Sequence, residues 1–354
     1  MHSPHSSPLR ILYYGGAWPT NIGNAFIDYG ALGLLRLAAP DAHVAFASEA
    51  PRWFFRHLQE PTSRLSRLLR WCLTCRVRRI RVRRGVRQTQ SGVGGPGHRR
   101  RGADGKDMGR ALDVAAVSAC DVVVFAGMAM CREFVQVNGP PLLALARRGV
   151  RVLLLGTGAQ AYTEEESDEF GRFLTQLRPV GFVSRDDRSY DQFASFVPNA
   201  MRCIDCGFFV PETYKPLAVT IPPFIVATFD SVPEPSLEMR GRRLVRCHHS
   251  CWGPVPRAHL KGDTLISDIP EDYLTLYASA EEVHSDRVHA CVAALAYGRA
   301  ARLYNATPRG SLFEAVGASR IRQQLTVLDM AALAEKKAAQ VEFTRRTVNS
   351  GLAK

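Results

Sequence analysis

Val150-Arg-Val-Leu-Leu-Leu-Gly-Thr-Gly158 decides the fold class: an almost unbroken apolar run ends in two glycines, and Glu164 to Leu177 then carries a helical pattern. A strand that is apolar on both faces belongs inside a parallel sheet covered by helices on each side, and the glycines give the tight turn into the next helix. Val122 to Phe125 repeats the pattern upstream, with a helix expected over Leu142 to Arg148 between the two runs. Leu9 to Tyr14 opens the same way into Gly15-Gly16, reaches Asn21-Ile-Gly-Asn24, and continues as a helix through Phe26, Leu32, Leu34, Leu35 and Leu37. Alternating strands and helices predict an α/β chain whose strand-to-helix turns line a ligand crevice.

After Arg178-Pro179 the pattern restarts. Val180 to Ser184, Met201 to Asp205, Phe224 to Phe229, Leu244 to Cys247, Thr264 to Ser267, Val283 and Ala301 to Tyr304 read as strands, with helices at Asp187 to Phe196 and Asp272 to Tyr277. The expectation is two Rossmann-like domains facing each other across a cleft: 1–178, 179–329, and a terminal amphipathic helix in 330–354 that packs back on the first. At 354 residues the chain exceeds a single core, which agrees with two domains.

The net charge of +13 is local. Arg64 to Arg110 hold 15 Lys and Arg against Asp104 and Asp107 alone, so the rest of the chain is balanced and the basic pI is no argument that its folded body as a whole meets polyanions. Within that insertion Leu65, Leu68, Leu69, Cys72 and Leu73 have helical spacing amid arginines, and Gln88 to Gly105 is Gly-rich and polar. Peripheral contact with an anionic membrane through 64–84 is one reading, a solvated insertion the other; no nucleic-acid motif occurs.

No signal peptide or long apolar run is present, and the nine cysteines suit a reducing cytoplasm, at most peripheral at the inner face of the membrane. Cys203-Ile-Asp-Cys206 and Cys247-His-His-Ser-Cys251 have zinc-ligand types, but buried thiols are the expected reading and no metal is expected.

Two anion sites are expected. In Val283-His-Ser-Asp-Arg-Val-His-Ala-Cys291, Ser285 or Asp286 can cap a helix whose first turn carries Arg287 and His289. In Val183-Ser-Arg-Asp-Asp-Arg-Ser189, Arg185 follows a strand, and Ser184 or Asp186 can start the next helix. Both follow strand ends, so Arg185, Arg287 and His289 can converge on one small dianion, with Ser184, Ser285, Gly156 and Gly158 around it. Asn21, Asn24 and Asp28 suit hydroxyl recognition or turn formation, and His248, His249 and Trp252 suit stacking on a sugar or plain packing. Arg309 follows Thr307-Pro308 and is another potential phosphate contact.

Taken together, Asn21-Ile-Gly-Asn24, Ser184-Arg-Asp186 with Ser189, and Ser285-Asp-Arg-Val-His-Ala290 with Ala294-Leu-Ala-Tyr-Gly298 resemble the polysaccharide pyruvyltransferase family, from about Ile11 to Gly317. The last block is the specific one, differing from the family's Arg-Leu-His-Ala only by Val288. The resemblance implies a glycosyltransferase-B-like fold and transfer of a pyruvyl group from phosphoenolpyruvate to a glycan or lipid-linked sugar, leaving a ketal, without metal or cofactor. It also implies donor binding by Arg185 and Arg287 and acid or base work by His289. The chain departs from the family at Asn24-Ala25, where many relatives carry Asp-Glu, and at Phe125-Ala-Gly127, where they carry three glycines. Both departures fall in the half expected to hold the acceptor. A nucleotide-sugar glycosyltransferase, or a catalytically silent relative that binds glycan or anionic lipid, are the alternatives.

Overall fold

The computed structural model describes residues 8–16, 18, 21–48, 118–127, 129–130, 132–249 and 262–350. The basic insertion, Trp252 and Cys251 lie outside the described residues, and with them the expectations of a membrane contact through 64–84 and of Trp252 against a sugar.

The chain is α/β with two parallel sheets. The first is built from β1 (Arg10–Gly15), β2 (His43–Ser48), β3 (Val122–Ala126), β5 (Arg151–Ala159), β6 (Gly181–Ser184) and β7 (Ala200–Arg202) in the order β2-β1-β3-β5-β6-β7, with the two-residue β4 (Ala129–Met130) beside β5. The second has the order β10-β9-β8-β11-β12, from β8 (Phe224–Thr228), β9 (Arg243–Cys247), β10 (Thr264–Leu265), β11 (Glu282–Ser285) and β12 (Ala300–Leu303). Helices α1 (Gly23–Ala38), α2 (Arg132–Arg147), α3 (Glu164–Leu177), α4 (Asp187–Phe193), α5 (Val210–Thr213), α6 (Pro270–Ser279), α7 (Val288–Ala296) and α8 (Met330–Asn349) connect and cover the strands. Helix α2 starts earlier than expected and carries Pro140 and Pro141 within it.

Alternation along the strands sorts their side chains between two faces. Leu12, Tyr14, Val123, Phe125, Val152, Leu154 and Phe182 pack on one side with Phe134, Phe170 and Leu174 of α2 and α3. Ile11, Tyr13, Val122, Val124, Leu153, Leu155 and Val183 face the other way, into a core continuous through α1 and residues 206–210 with Val226, Val245, Val283 and Leu303 of the second sheet.

The strand expected to open the second domain is instead a member of the first sheet. β6 pairs in parallel with β5, Leu153 against Gly181 and Leu154 against Phe182, and then with β7. Its apolar side chains meet both faces of that sheet, Phe182 on one and Val183 on the other. Arg185 therefore leaves the carboxyl edge of the first sheet, while Arg287 and His289 leave that of the second.

The terminal helix does return to the first sheet. Arg151 Nη1 donates to the Val348 carbonyl at 2.8 Å and to that of Ser350, Ile204 N donates to Gln340 Oε1 at 3.3 Å, and a Cβ on Gly181 would lie 2.8 Å from Thr347 Cγ2.

Candidate active site

The turn after β6 is fixed by its own polar side chains. Asp186 caps α4, accepting from Ser189 N at 2.8 Å, and its other oxygen accepts from the Tyr162 hydroxyl at 2.8 Å. Ser189 Oγ accepts from Ala159 N at 2.9 Å, which pins this turn to the end of β5. Ser184 is fully buried and its hydroxyl donates to the Asp186 carbonyl, so it shapes the turn. Arg185, 2% exposed, lies across the end of β5, with Nη2 donating to the Ala159 carbonyl at 3.2 Å. Gly158 makes that path possible, since a Cβ there would sit 2.5 Å from Arg185 Nε. Gly156, at φ +61°, backs against Cys206 in the same way, with its missing Cβ 2.7 Å from Sγ.

After β11 the expected cap is replaced. Arg287 is itself the N-cap of α7 and has no side-chain cap bond. Ser285 Oγ accepts from Arg287 N at 2.8 Å and donates to the Thr228 carbonyl at 3.0 Å. Asp286 turns toward the loop after β8, where Oδ2 accepts from the backbone N–H of Asp230 at 3.0 Å, of Ser231, and of Val232 at 2.9 Å. A carboxylate that can take three backbone donors from a neighbouring loop gains more there than from one helix end.

Asp230 holds Arg287 in place. Its carboxylate accepts from Arg287 Nε at 2.7 Å and from His249 N at 3.0 Å, and shares a hydrogen bond with His248 Nδ1 at 3.0 Å. Burial alone would raise its pKa, but His248 and Arg287 outweigh burial and hold it well below the usual carboxylate range.

His249 is a core residue, not a sugar contact. It is fully buried, its Nε2 lies 2.6 Å from the Tyr277 hydroxyl, and Phe26 and Tyr273 meet its ring edge-to-face. Burial lowers its pKa to about 3, leaving it neutral. It still touches the site, because Ile22 N donates to its carbonyl at 3.2 Å, and a Cβ on Gly23 would lie 3.2 Å from His289 Cβ and 3.3 Å from His249 Nδ1. The Asn21 to Asn24 loop thus reaches the start of α7, with Asn21 Oδ1 accepting from Gly23 N at 3.1 Å. Asp28 is spent within the first loop, accepting from Tyr13 Oη at 2.6 Å, Gly16 N at 3.0 Å and Trp18 Nε1.

Arg185 and His289 meet through a residue that sequence reasoning did not single out. Asp205, fully buried just beyond β7, places Oδ2 3.9 Å from Arg185 Nη1 and 3.6 Å from His289 Nε2. Asp205 Oδ2, His289 Nε2 and Arg185 Nε are all buried without a hydrogen bond. Burial raises the Asp205 pKa, but His289 and then Arg185 overcome it and the net shift is downward, so the carboxylate is charged. Arg185 Nε lies 3.6 Å from Asp186 Oδ2, so these buried groups face charges of opposite sign at distances longer than a hydrogen bond, which a tighter contact would complete.

Arg309 adds a third guanidinium on the turn at Pro308–Val316, which Ser311 ties to Tyr162 at 3.2 Å. Its side chain reaches solvent yet is ringed by protein, and burial, followed by the charge of Arg185, lowers its pKa. Among the described residues it makes no hydrogen bond or ion pair.

Among the described residues, the cysteines of the two expected zinc motifs are packing residues. Cys203, Cys206 and Cys247 are buried, and burial pushes the Cys203 and Cys247 thiols up to about 11. Among the described residues no group of three or more His, Cys, Asp or Glu side chains is placed to hold a metal ion.

The arrangement is two basic strand ends from different sheets, joined by a shared carboxylate and an imidazole, and it stands within a longer match. The profile of polysaccharide pyruvyl transferases spans residues 21–305. This chain belongs to that family. A member of the polysaccharide pyruvyl transferase family is a transferase of polysaccharide biosynthesis, with a glycan as acceptor. No curated protein matches the chain. Among solved structures, a Listeria monocytogenes protein described as a UDP-N-acetylglucosamine 2-epimerase is similar over 96% of this chain and 91% of its own, at 11% identity and a TM-score of 0.50. The UDP-N-acetylglucosamine 2-epimerase of Rickettsia bellii covers 98% and 99% at 10% identity (TM-score 0.49), and an uncharacterised protein of Klebsiella pneumoniae 89% and 90% at 12% (TM-score 0.44). At this identity the Listeria likeness shows the fold alone, that of glycosyltransferase-B-like enzymes. Among the described residues no helix of this pyruvyl transferase family member is long and apolar enough to cross a membrane.

Proposed function

We propose that this protein transfers the pyruvyl unit of phosphoenolpyruvate to two hydroxyls of a glycan or lipid-linked sugar, forming a ketal and releasing phosphate, with no metal or organic cofactor. The observation that supports this reading is the buried Asp205 carboxylate placed between Arg185 and His289, with Arg287 held by Asp230 at the start of the helix that carries His289. Phosphoenolpyruvate has a carboxylate and a phosphate on adjacent atoms, and fixed guanidinium groups are the side chains best fitted to hold both. Arg309, which has no acidic partner among the described residues, is the third cation available to so strongly charged a donor.

The chemistry asks little else of the protein. One acceptor oxygen bonds to C2 while C3 gains a proton and becomes a methyl group; the second oxygen then bonds to C2 as the C2–O bond to phosphate breaks. Of the two hydroxyl protons, one ends on C3 and the other leaves on phosphate. His289 moves these protons, and the arginines neutralise the charge that gathers on the departing phosphate. We assign acceptor contacts to the Asn21 and Asn24 loop and to His248, which is partly open beside Asp230. A cytoplasmic location follows from the donor, which is an intracellular metabolite.

The test is phosphate release from phosphoenolpyruvate by the purified protein with a panel of glycan and lipid-linked acceptors, beside His289→Ala. Acceptor-dependent release that vanishes in the variant supports the reading. Absence of release with every acceptor, together with cleavage of a nucleotide sugar, replaces it with the glycosyltransferase alternative.

A further inference from the structure

Asp205 is held through its own backbone turn. Its Oδ1 accepts from Gly207 N at 2.8 Å, and the turn that follows is clamped by α1: a Cβ on Gly30 would lie 1.8 Å from the Cys206 carbonyl oxygen. The free oxygen, Oδ2, therefore has a fixed position, 3.6 Å from His289 Nε2. That ring nitrogen is sealed from solvent, whereas Nδ1 is the nitrogen of this 9% exposed side chain left open. A ligand reaching the imidazole must meet Nδ1. The other charged or titratable groups facing His289 are Arg185 across Asp205, His249 on the loop after β9, and Arg287 at the start of α7.

We propose that Asp205 is the positioning residue for His289: its Oδ2 keeps the proton on Nε2, so that Nδ1 is the atom that exchanges protons with the substrate. The inference deepens the pyruvyl-transfer reading and rests on it for the identity of the substrate. His289 gives the Nδ1 proton to C3 of the donor and takes one back from an acceptor hydroxyl, so the ring ends the cycle as it began. Contact with Asp205 tightens from 3.6 Å when the ring is charged, as expected of catalytic contacts that are long in an unliganded protein. His289 and, on the far side of the carboxylate, Arg185 hold Asp205 ionised against burial, so one buried acid serves both the donor clamp and the proton carrier.

The test uses the full-length protein labelled with 15N-histidine, at alkaline pH. The ring nitrogen shifts of His289 report which nitrogen holds the proton. The Nε2–H form is expected in the wild type. In Asp205→Asn the amide oxygen can keep the cap on Gly207 while its NH2 faces Nε2, which drives the proton to Nδ1. In turnover, kcat of Asp205→Asn should fall by up to about 10⁴-fold, the loss known for a wrong-tautomer histidine, with the KM for phosphoenolpyruvate changed less. An Nδ1–H wild-type ring, or the same tautomer in both proteins, overturns the proposal. Because the tautomer is read without substrate, it stands or falls apart from the identity of the donor.

Discussion

Arg287 Nε donates to Asp230 Oδ2 at 2.7 Å, and this bond joins those of Asp286 in tying the turn that leads to His289 to the loop after β8. Asp230→Asn weakens it and leaves a guanidinium with less than a full partner, a loss of about 1–3 kcal/mol for a hydrogen bond to a charged group. The Asp230 pKa is lower in the folded protein than in the unfolded chain, where it is about 3.9. Its stabilisation is therefore whole above about pH 4 and is lost as the pH falls toward the folded value. Urea unfolding of wild type and Asp230→Asn at a series of pH values should show a gap at neutral pH that narrows below pH 4.

Asp28 has the opposite sign. Burial raises its pKa to about 6, against the pull of Tyr13, Trp18 and Gly16. The stability it contributes is whole below about pH 4 and is lost as the pH rises through 6, a change of about 2–3 kcal/mol. Asp28→Asn cannot titrate, so the difference in unfolding free energy between it and wild type should shrink in that window and stay level above it. A difference that is constant from pH 4 to 7 would refute the elevated value.

Arg309 should matter to binding and not to folding. With no ion pair among the described residues to lose, Arg309→Ala is expected to leave the melting temperature unchanged while weakening phosphoenolpyruvate by about tenfold, roughly 1.4 kcal/mol, in calorimetric titration. Arg287→Lys should weaken the donor further, because an ammonium cannot offer the planar fork. Equal affinity in Arg309→Ala would remove it from the donor site.

Gly158→Ala separates packing from charge. The added methyl would stand 2.5 Å from Arg185 Nε and 2.9 Å from Ser189 Oγ, so the guanidinium must shift. We expect a loss of about 1–3 kcal/mol in stability from the forced packing, and at least about tenfold in donor affinity. Donor affinity that survives a measured loss of stability would show that Arg185 can be displaced without cost to binding.

Much of this was legible in the chain. The apolar runs at Val122 and Val150 are strands because nothing polar interrupts them, and Arg185, Arg287 and His289 stand out because each follows such a run. The sheet that Gly181–Ser184 joins was not legible, since one buried parallel strand looks like another and only pairing with β5 decides the matter. His249 reads like a ligand, and its fate depends on Tyr277 and Phe26, both distant in sequence. Asp205 was hidden inside a Cys-x-x-Cys spacing that drew attention to the thiols. The available signal was an Asp-Cys-Gly turn after a strand, where a side-chain oxygen accepts from the glycine N–H two residues on.

Helix α8 carries a consequence for how the protein is made. The backbone carbonyls that satisfy Arg151 belong to Val348 and Ser350, and Thr347 lies against Gly181. As synthesis proceeds from the amino terminus, the first sheet leaves the ribosome long before the segment that covers it, and waits with part of its apolar surface bare. The first sheet is then closed only after the second has been made, and until that moment its bare surface is open to aggregation.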